Sequence, residues 1–158
     1  DILVNEADLV VALENGKVAK YVTDFANPTV VDAKNTIVIP HLGASTEESE
    51  DNCAKMAVKE VMEFLENGNI RNSVNYPNCD MGCRGDKARI TILHRNVPNM
   101  IGQFTAILAE DGINISDMTN KSRKEYAYTI IDVENEITDE IVADLSKIKD
   151  VLKIRVIA

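Results

Sequence analysis

The chain has 158 residues, 45% of them hydrophobic and 27% charged, a balance that excludes intrinsic disorder and describes a folded globular protein. Its net charge of −9 argues against nucleic acid or an anionic membrane surface as partner. No apolar run approaches the ~20 residues of a membrane span, and no charged-then-apolar leader opens the chain, so a cytoplasmic protein is expected.

Residues 5–15 carry Ala7, Leu9, Val10, Val11 and Leu13 in a helical pattern, with Gly16 placed to end it. A strand is expected over residues 17–25, on Val18, Tyr21 and Val22, closing at the turn signal Asn27-Pro28. A second strand is expected over residues 36–39. It stops at Pro40 and hands His41 to the rim of the sheet, where ligands of open α/β sheets sit. Strand, helix and strand in so short a space suit the edge of a parallel sheet.

Ser45-Thr46-Glu47-Glu48 reads as a capping box with Ser45 as the N-cap. In the helix that follows, Cys53, Ala57, Val61, Phe64 and Leu65 recur at helical spacing, and Ala54, Val58 and Met62 widen the stripe. Such a helix is expected to meet protein on more than one side, with Cys53 a small core residue. Asn67-Gly68-Asn69 ends it, and residues 70–77 look extended. Residues 78–87 form a loop and the expected domain boundary. Cys79 and Cys83 flank Asp80-Met81-Gly82 there, but structural zinc needs four ligands and no metal site is expected. Three cysteines, an odd number, also fail to suggest a secreted disulfide framework.

Beyond the loop, Ile90 and Ile92 alternate with Arg89 and Thr91 as in a half-buried strand over residues 88–94. Ile101, Phe104, Ile107 and Leu108 give a helix over residues 99–111, stopped by Gly112. Strands over residues 113–118 and 126–133 are joined by a charged turn around Lys121-Ser122-Arg123-Lys124. Thr138 caps a second helix, with Asp139 and Glu140 in its first turn and Ile141, Leu145 and Ile148 on its apolar face. A strand over residues 151–157 completes the order βαββαβ, the ferredoxin-like unit. That fold alone names no function.

The segment Pro40-His41-Leu42-Gly43-Ala44-Ser45-Thr46-Glu47-Glu48 resembles the catalytic-histidine segment of the D-2-hydroxyacid dehydrogenases, closest in wording to their D-3-phosphoglycerate dehydrogenase branch. The loop His94-Arg95-Asn96-Val97-Pro98-Asn99-Met100-Ile101-Gly102, with Gly112-Ile113-Asn114-Ile115 after it, looks like an ACT domain, a small regulatory module that binds amino acids. Together the two resemblances cover nearly the whole chain. They imply an α/β protein in which residues 1–45 are the C-terminal remnant of a Rossmann-type nucleotide-binding domain. Residues 46–77 would return the chain to a substrate domain, 78–87 would be a linker, and 88–158 a ferredoxin-like ACT domain. The implied activity is an NAD-dependent oxidoreductase of serine biosynthesis, acting on D-3-phosphoglycerate and regulated by L-serine. ACT domains of this kind imply self-association into a homo-oligomer. Two other readings stay open: another ACT-bearing 2-hydroxyacid dehydrogenase, and a stand-alone amino-acid-binding module without catalysis.

His41 is the candidate acid–base group, because hydride transfer at a 2-hydroxy acid also requires moving the hydroxyl proton. An isolated Pro-His would read more plainly as a strand-end turn. The resembled family pairs this His with a carboxylate and clamps its substrate with an Arg, which here would fall before Asp1. The loop Thr23-Asp24-Phe25-Ala26-Asn27-Pro28 lacks the family's Glu, leaving Asp24 as the nearest acid and Asp32 as the alternative. None of the seven glycines stands in Gly-x-Gly-x-x-Gly spacing, so NAD would be held mainly by residues outside this sequence. In the ACT segment, His94, Asn96 and Asn114 match the family's serine-contacting positions, and imidazole and amide groups can both donate and accept. Asn99 stands where relatives commonly have Gly. On the plainer reading His94 is a strand-end polar residue, Asn96 a helix cap and Asn114 a turn residue.

Overall fold

The computed structural model describes residues 3–25, 27–86 and 88–157. Ala26 of the loop after the first strand, Lys87 at the end of the expected linker and Ala158 lie outside the described residues. Two compact units divide the chain, Asp1–Ala54 and Lys55–Ala158.

In the first unit, α1 (Glu6–Glu14) starts at Asn5, whose side chain accepts from the Asp8 N–H, and ends before Gly16 at φ +76°. β1 (Tyr21–Thr23) and β2 (Thr36–Val38) pair in parallel, with Tyr21 opposite Thr36 and Thr23 opposite Val38. β1 is shorter than its sequence pattern predicts because the residues before it are tied back to the helix. Val18 donates to the Ala12 carbonyl and Lys17 to the Asn15 side chain. Asn27-Pro28 opens a one-turn helix, α2 (Pro28–Val31), where a turn is expected. The Asn27 side chain accepts from the N–H groups of Thr29 and Val30.

α3 (Glu47–Asn67) is capped one residue later than expected. Thr46 Oγ1, not Ser45, accepts from the N–H of the third helical residue, Ser49, at 3.2 Å. Cys53 is exposed rather than in a core. Val58, Val61, Met62 and Leu65, spaced as one stripe of the helix, are also exposed.

In the second unit, β3 (Ala88–Arg95), β4 (Ile115–Arg123), β5 (Tyr126–Val133) and β6 (Val151–Ile157) form one sheet. Its order is β4-β5-β3-β6 and every neighbouring pair is antiparallel. With α4 (Met100–Glu110) after β3 and α5 (Asp139–Lys147) after β5, this is the ferredoxin-like βαββαβ arrangement. β4 runs on through Lys121, Ser122 and Arg123, where a turn is expected, and only Lys124 and Glu125 turn. An edge strand with an exposed flank tolerates that polar sequence. One sheet face packs Ile90, Ile92, Ile131 and Val133 against Met100, Phe104 and Leu108 of α4 and Ile141 and Leu145 of α5. Each such fully buried side chain contributes about 1.5–3 kcal/mol.

The other face is covered by the end of α3 and by residues 68–84. Ile70 and Cys79 exchange backbone hydrogen bonds at 2.8 and 2.9 Å and pack on Tyr128 and Ile130. The segment expected as a linker is thus laid along the sheet, because polar groups of the sheet receive it. Arg89, fully buried, spans Asp132 with Nε to Oδ1 at 2.6 Å and Nη2 to Oδ2 at 2.8 Å. Its remaining Nη1 donates to the carbonyls of Asn67 and Gly82. Tyr128 Oη donates to the Gly68 carbonyl at 2.7 Å, and Arg155 donates to the carbonyls of Phe64 and Leu65. Gly68 lies so close that a Cβ there would meet Thr91 Cγ2 at 2.6 Å, and its φ is +71°.

Candidate functional site

The parallel register of β1 and β2 brings the carboxyl ends of both strands out on one edge. Pairing extends one bond further, from the Ile39 N–H to the Thr23 carbonyl at 2.9 Å. Pro40, which has no N–H, cannot continue it. Asp24 leaves the first strand and His41 the second, and His41 Nδ1 comes to lie 2.8 Å from Asp24 Oδ2. The Phe25 ring flanks the imidazole at 4.5 Å between centroids. Both partners are about half exposed, 58% for His41 and 42% for Asp24. A cavity of about 420 Å³ lies beside Asp24, lined by Thr23, Phe25 and Ile39 among others. With Nδ1–H given to the carboxylate, Nε2 is left to take or return a proton. Asp32, the alternative acid, is the exposed C-cap of α2.

The second site lies where β3 ends and α4 begins. His94 is 2% exposed, on the sheet face that carries the helices, edge-on to the Phe104 ring at 5.2 Å. Its Nδ1 lies 2.8 Å from the Arg95 carbonyl, an acceptor, so Nδ1 carries the hydrogen. Nε2 then accepts, from Thr129 Oγ1 at 2.9 Å and Asn120 Nδ2 at 3.1 Å. Burial holds the imidazole below its ordinary pKa, against the opposing effect of the Arg95 carbonyl, and so favours the neutral ring. A cavity of about 160 Å³ opens beside it, lined by His94, Asn96, Asn99, Asn120 and the first turn of α4.

The expected partners of His94 are distributed differently from their sequence pattern. Asn96 lines the pocket but does not cap α4; its Nδ2 donates to the Lys124 carbonyl at 3.1 Å. The cap position belongs to Asn99, held left-handed at φ 65°, with no side-chain cap bond to the helix. Its amide oxygen lies over Gly102, where a Cβ would meet it at 2.4 Å. Asn114 is at the opposite end of the strands within one copy. There it donates to Glu134 Oε2 at 2.9 Å, and its N–H meets Asn135 Oδ1. The register explains the separation: Arg95 and Arg123 both pair with Tyr126, while Ala88 and Ile115 pair with Val133. Asn120 and Thr129 escape the sequence reading because ending β4 at Met118 left Asn120 outside the sheet. The polar pairing of Asn120 with Thr129 in register is the signal that a longer β4 would have supplied.

Among the described residues, no three His, Cys, Asp or Glu side chains are grouped to hold a metal ion. No described helix is long and apolar enough to cross a membrane. Cys79 is buried and its thiol is pushed up to about 11 by desolvation, while Cys53 and Cys83 are exposed. The turn that leads from β2 into α3 contains a single glycine, Gly43, and offers no glycine-rich cradle for a dinucleotide pyrophosphate.

No protein-family model matches the sequence. Individual proteins do. The chain is 32% identical over 123 residues to the D-3-phosphoglycerate dehydrogenase of Dictyostelium discoideum, across 78% of this chain and 30% of that protein. It is 28% identical over 120 residues to that of Escherichia coli K12, across 76% and 28%. D-3-phosphoglycerate dehydrogenase 2 of Saccharomyces cerevisiae is 28% identical over 116 residues, across 71% and 24%. The matches fall in the C-terminal part of these relatives, and the chain spans less than a third of their length. Among solved structures, the ACT domain of a GTP pyrophosphokinase from Chlorobium tepidum overlaps 44% of this chain and 83% of its own. Its TM-score is 0.38 and its identity 18%. The regulatory subunit of aspartate kinase from Thermus thermophilus overlaps 45% of this chain and 50% of its own, with TM-score 0.38 and identity 17%.

Proposed function

We propose that this relative of the D-3-phosphoglycerate dehydrogenases is the C-terminal part of such an enzyme, contributing the acid–base pair and an ACT regulatory domain. The observation that carries the reading is His41 Nδ1 at 2.8 Å from Asp24, at the carboxyl edge of two parallel strands. His41 Nε2 would accept the hydroxyl proton of D-3-phosphoglycerate. NAD, when bound, would supply the acceptor for the C2 hydride, so that the hydroxyl carbon becomes the ketone of 3-phosphohydroxypyruvate. Asp24 would fix the ring and compensate its developing charge. The NAD that such relatives imply does not fit the residues present, which lack a pyrophosphate-binding turn. It would rest on residues outside this chain, in a cytoplasmic enzyme.

At the second site, the reading is an effector pocket for L-serine. The first-turn N–H groups of α4 suit a carboxylate, and the lining sets His94, Asn96, Asn99 and Asn120 among Val97, Met100 and Ile101, with no carboxylate, Lys or Arg. Asn114 would reach this pocket only from a second copy of the chain, so the reading includes a homo-oligomer. The test has two arms. In the full-length enzyme, His41→Asn should abolish most turnover while NADH binding is retained, and near-normal turnover would remove His41 from the chemistry. On this chain, L-serine should raise the melting temperature where D-serine does not, and a flat response to both would remove the effector role.

A further inference from the structure

The hydrogen-bond inventory of the pocket beside α4 is uneven. Both ring nitrogens of His94 are engaged inside the protein, Nδ1 by the Arg95 carbonyl and Nε2 by Thr129 and Asn120. A ligand can reach either nitrogen only by displacing one of those groups. One hydrogen of the Asn96 amide is given to the Lys124 carbonyl, and the side-chain oxygens of Asn96 and Asn99, which also line the pocket, have no hydrogen bond among the described residues. Asn120 is held differently: its Nδ2 donates to Thr129 Oγ1 at 2.7 Å and to His94 Nε2 at 3.1 Å. Those two bonds fix the plane of the amide and assign nitrogen to the protein side. The opposite atom, Oδ1, has no hydrogen bond among the described residues, on a side chain that lines the pocket.

We propose that Asn120 Oδ1 reads the ammonium group of a small amino acid in this pocket, and that Thr129 is the positioning residue that aims it. An acceptor without formal charge, opposite the N–H groups of a helix start, complements a zwitterion end for end. His94 then acts behind the ligand surface. It accepts the amide hydrogen that would otherwise rotate into the pocket, and its neutral, Nδ1-protonated form is required for that. Thr129, fully buried and opposite Asn120 in the β4–β5 register, bonds to both. The inference rests on the reading of this pocket as an amino-acid site and singles out, among its amide oxygens, the one whose plane two bonds hold fixed.

Calorimetric titration of the full chain with L-serine tests it, with 3-hydroxypropionate as the probe that carries a hydrogen in place of the ammonium. Asn120→Leu should weaken L-serine by about tenfold or more, the worth of a hydrogen bond to a charged group, and leave 3-hydroxypropionate unchanged. Asn120→Asp, which keeps an acceptor at that position, should retain L-serine binding. Thr129→Val should weaken it less, and should shift the 15N resonance of His94 Nε2 as its donor is lost. If Asn120→Leu fails to fold, Asn120→Ala replaces it. Equal L-serine affinity in wild type and either truncation overturns the proposal and leaves the effector reading standing. So does an Asn120→Asp variant no better than Asn120→Leu. A wild-type chain that binds neither L-serine nor any other small amino acid overturns both.

Discussion

The chain contains two histidines, and their surroundings differ in every respect that governs a proton. His41 is 58% exposed, beside a carboxylate, at the rim of strands only three residues long. His94 is sealed between a four-stranded sheet and a helix, and its partners are a carbonyl, a hydroxyl and an amide. Asp24 can balance the charge that forms when His41 takes up a proton. Nothing bonded to His94 can do the same, and its one acceptor site is already filled by donors. The first setting suits the proton transfer proposed for His41, the second a ring that holds one tautomer.

The largest effect should come from erasing the first setting. In the full-length enzyme, His41→Asn is expected to lower kcat by about 10²–10⁴-fold. Asp24→Asn should lower it less and displace the pH–rate profile. Steady-state kinetics across pH measures both. An unchanged profile in the Asp24 variant would assign ring orientation to another group. Stability should respond the opposite way. Removing the exposed His41–Asp24 pair should cost at most about 1 kcal/mol. Arg89→Met, which strands Asp132 in the second unit, should cost about 3–5 kcal/mol. Urea denaturation compares the two, and adding Asp132→Leu should recover much of the loss.

Acid should then separate the second unit from its His94 variant. Burial lowers the His94 pKa from 6.5, so below that value the unfolded chain binds a proton that the folded chain resists. Stability is therefore full above 6.5 and is lost as pH falls through the folded value. His94→Asn should show a flatter decline in melting temperature over the same interval, and parallel curves would contradict the neutral ring. The smallest effect concerns thiols. Cys53 and Cys83 should react with iodoacetamide in the native protein while Cys79, with its pKa near 11, waits for unfolding. Peptide mapping after brief labelling reads the order directly.

What sequence reveals here follows the range of each interaction. The alternation of β3 and the apolar face of α4 are local, and strand and helix lie close to where Ile90, Ile92 and Phe104 point. Asp24 and His41 are separated by a short crossover; strand-end logic sets His41 at the rim, but only the family resemblance makes it an acid–base candidate and supplies Asp24, with Asp32 as alternative, for its partner. The outer face of the sheet is another matter. Asn78, Cys79, Asp80 and Gly82 have the composition of a loop, and nothing near them announces the Tyr128 and Ile130 surface that Cys79 packs on or the buried Arg89, paired with Asp132, that binds the Gly82 carbonyl. β4 illustrates the same limit. Asn120 to Arg123 are polar because an edge strand can be, and local composition does not distinguish that from a turn. Cys53 repeats with the apolar stripe of α3, yet the periodicity carries no information about whether a partner surface covers it.

The last turn of α3 contains no basic residue of its own, and the charges that terminate it come from the sheet. Arg155 reaches the Phe64 carbonyl across 91 positions of sequence, and Arg89 reaches Asn67 across 22. This sets an order of events on the ribosome. Residues 47–67 emerge before the strand that carries Arg155, so until that strand is made the helix end rests on its local bonds alone, Gly68 N–H to the Phe64 carbonyl and Asn69 N–H to the Glu63 carbonyl. A nascent chain stalled before Arg155 should expose the last turn of α3 to protease while its first turns, capped by Thr46, are already closed.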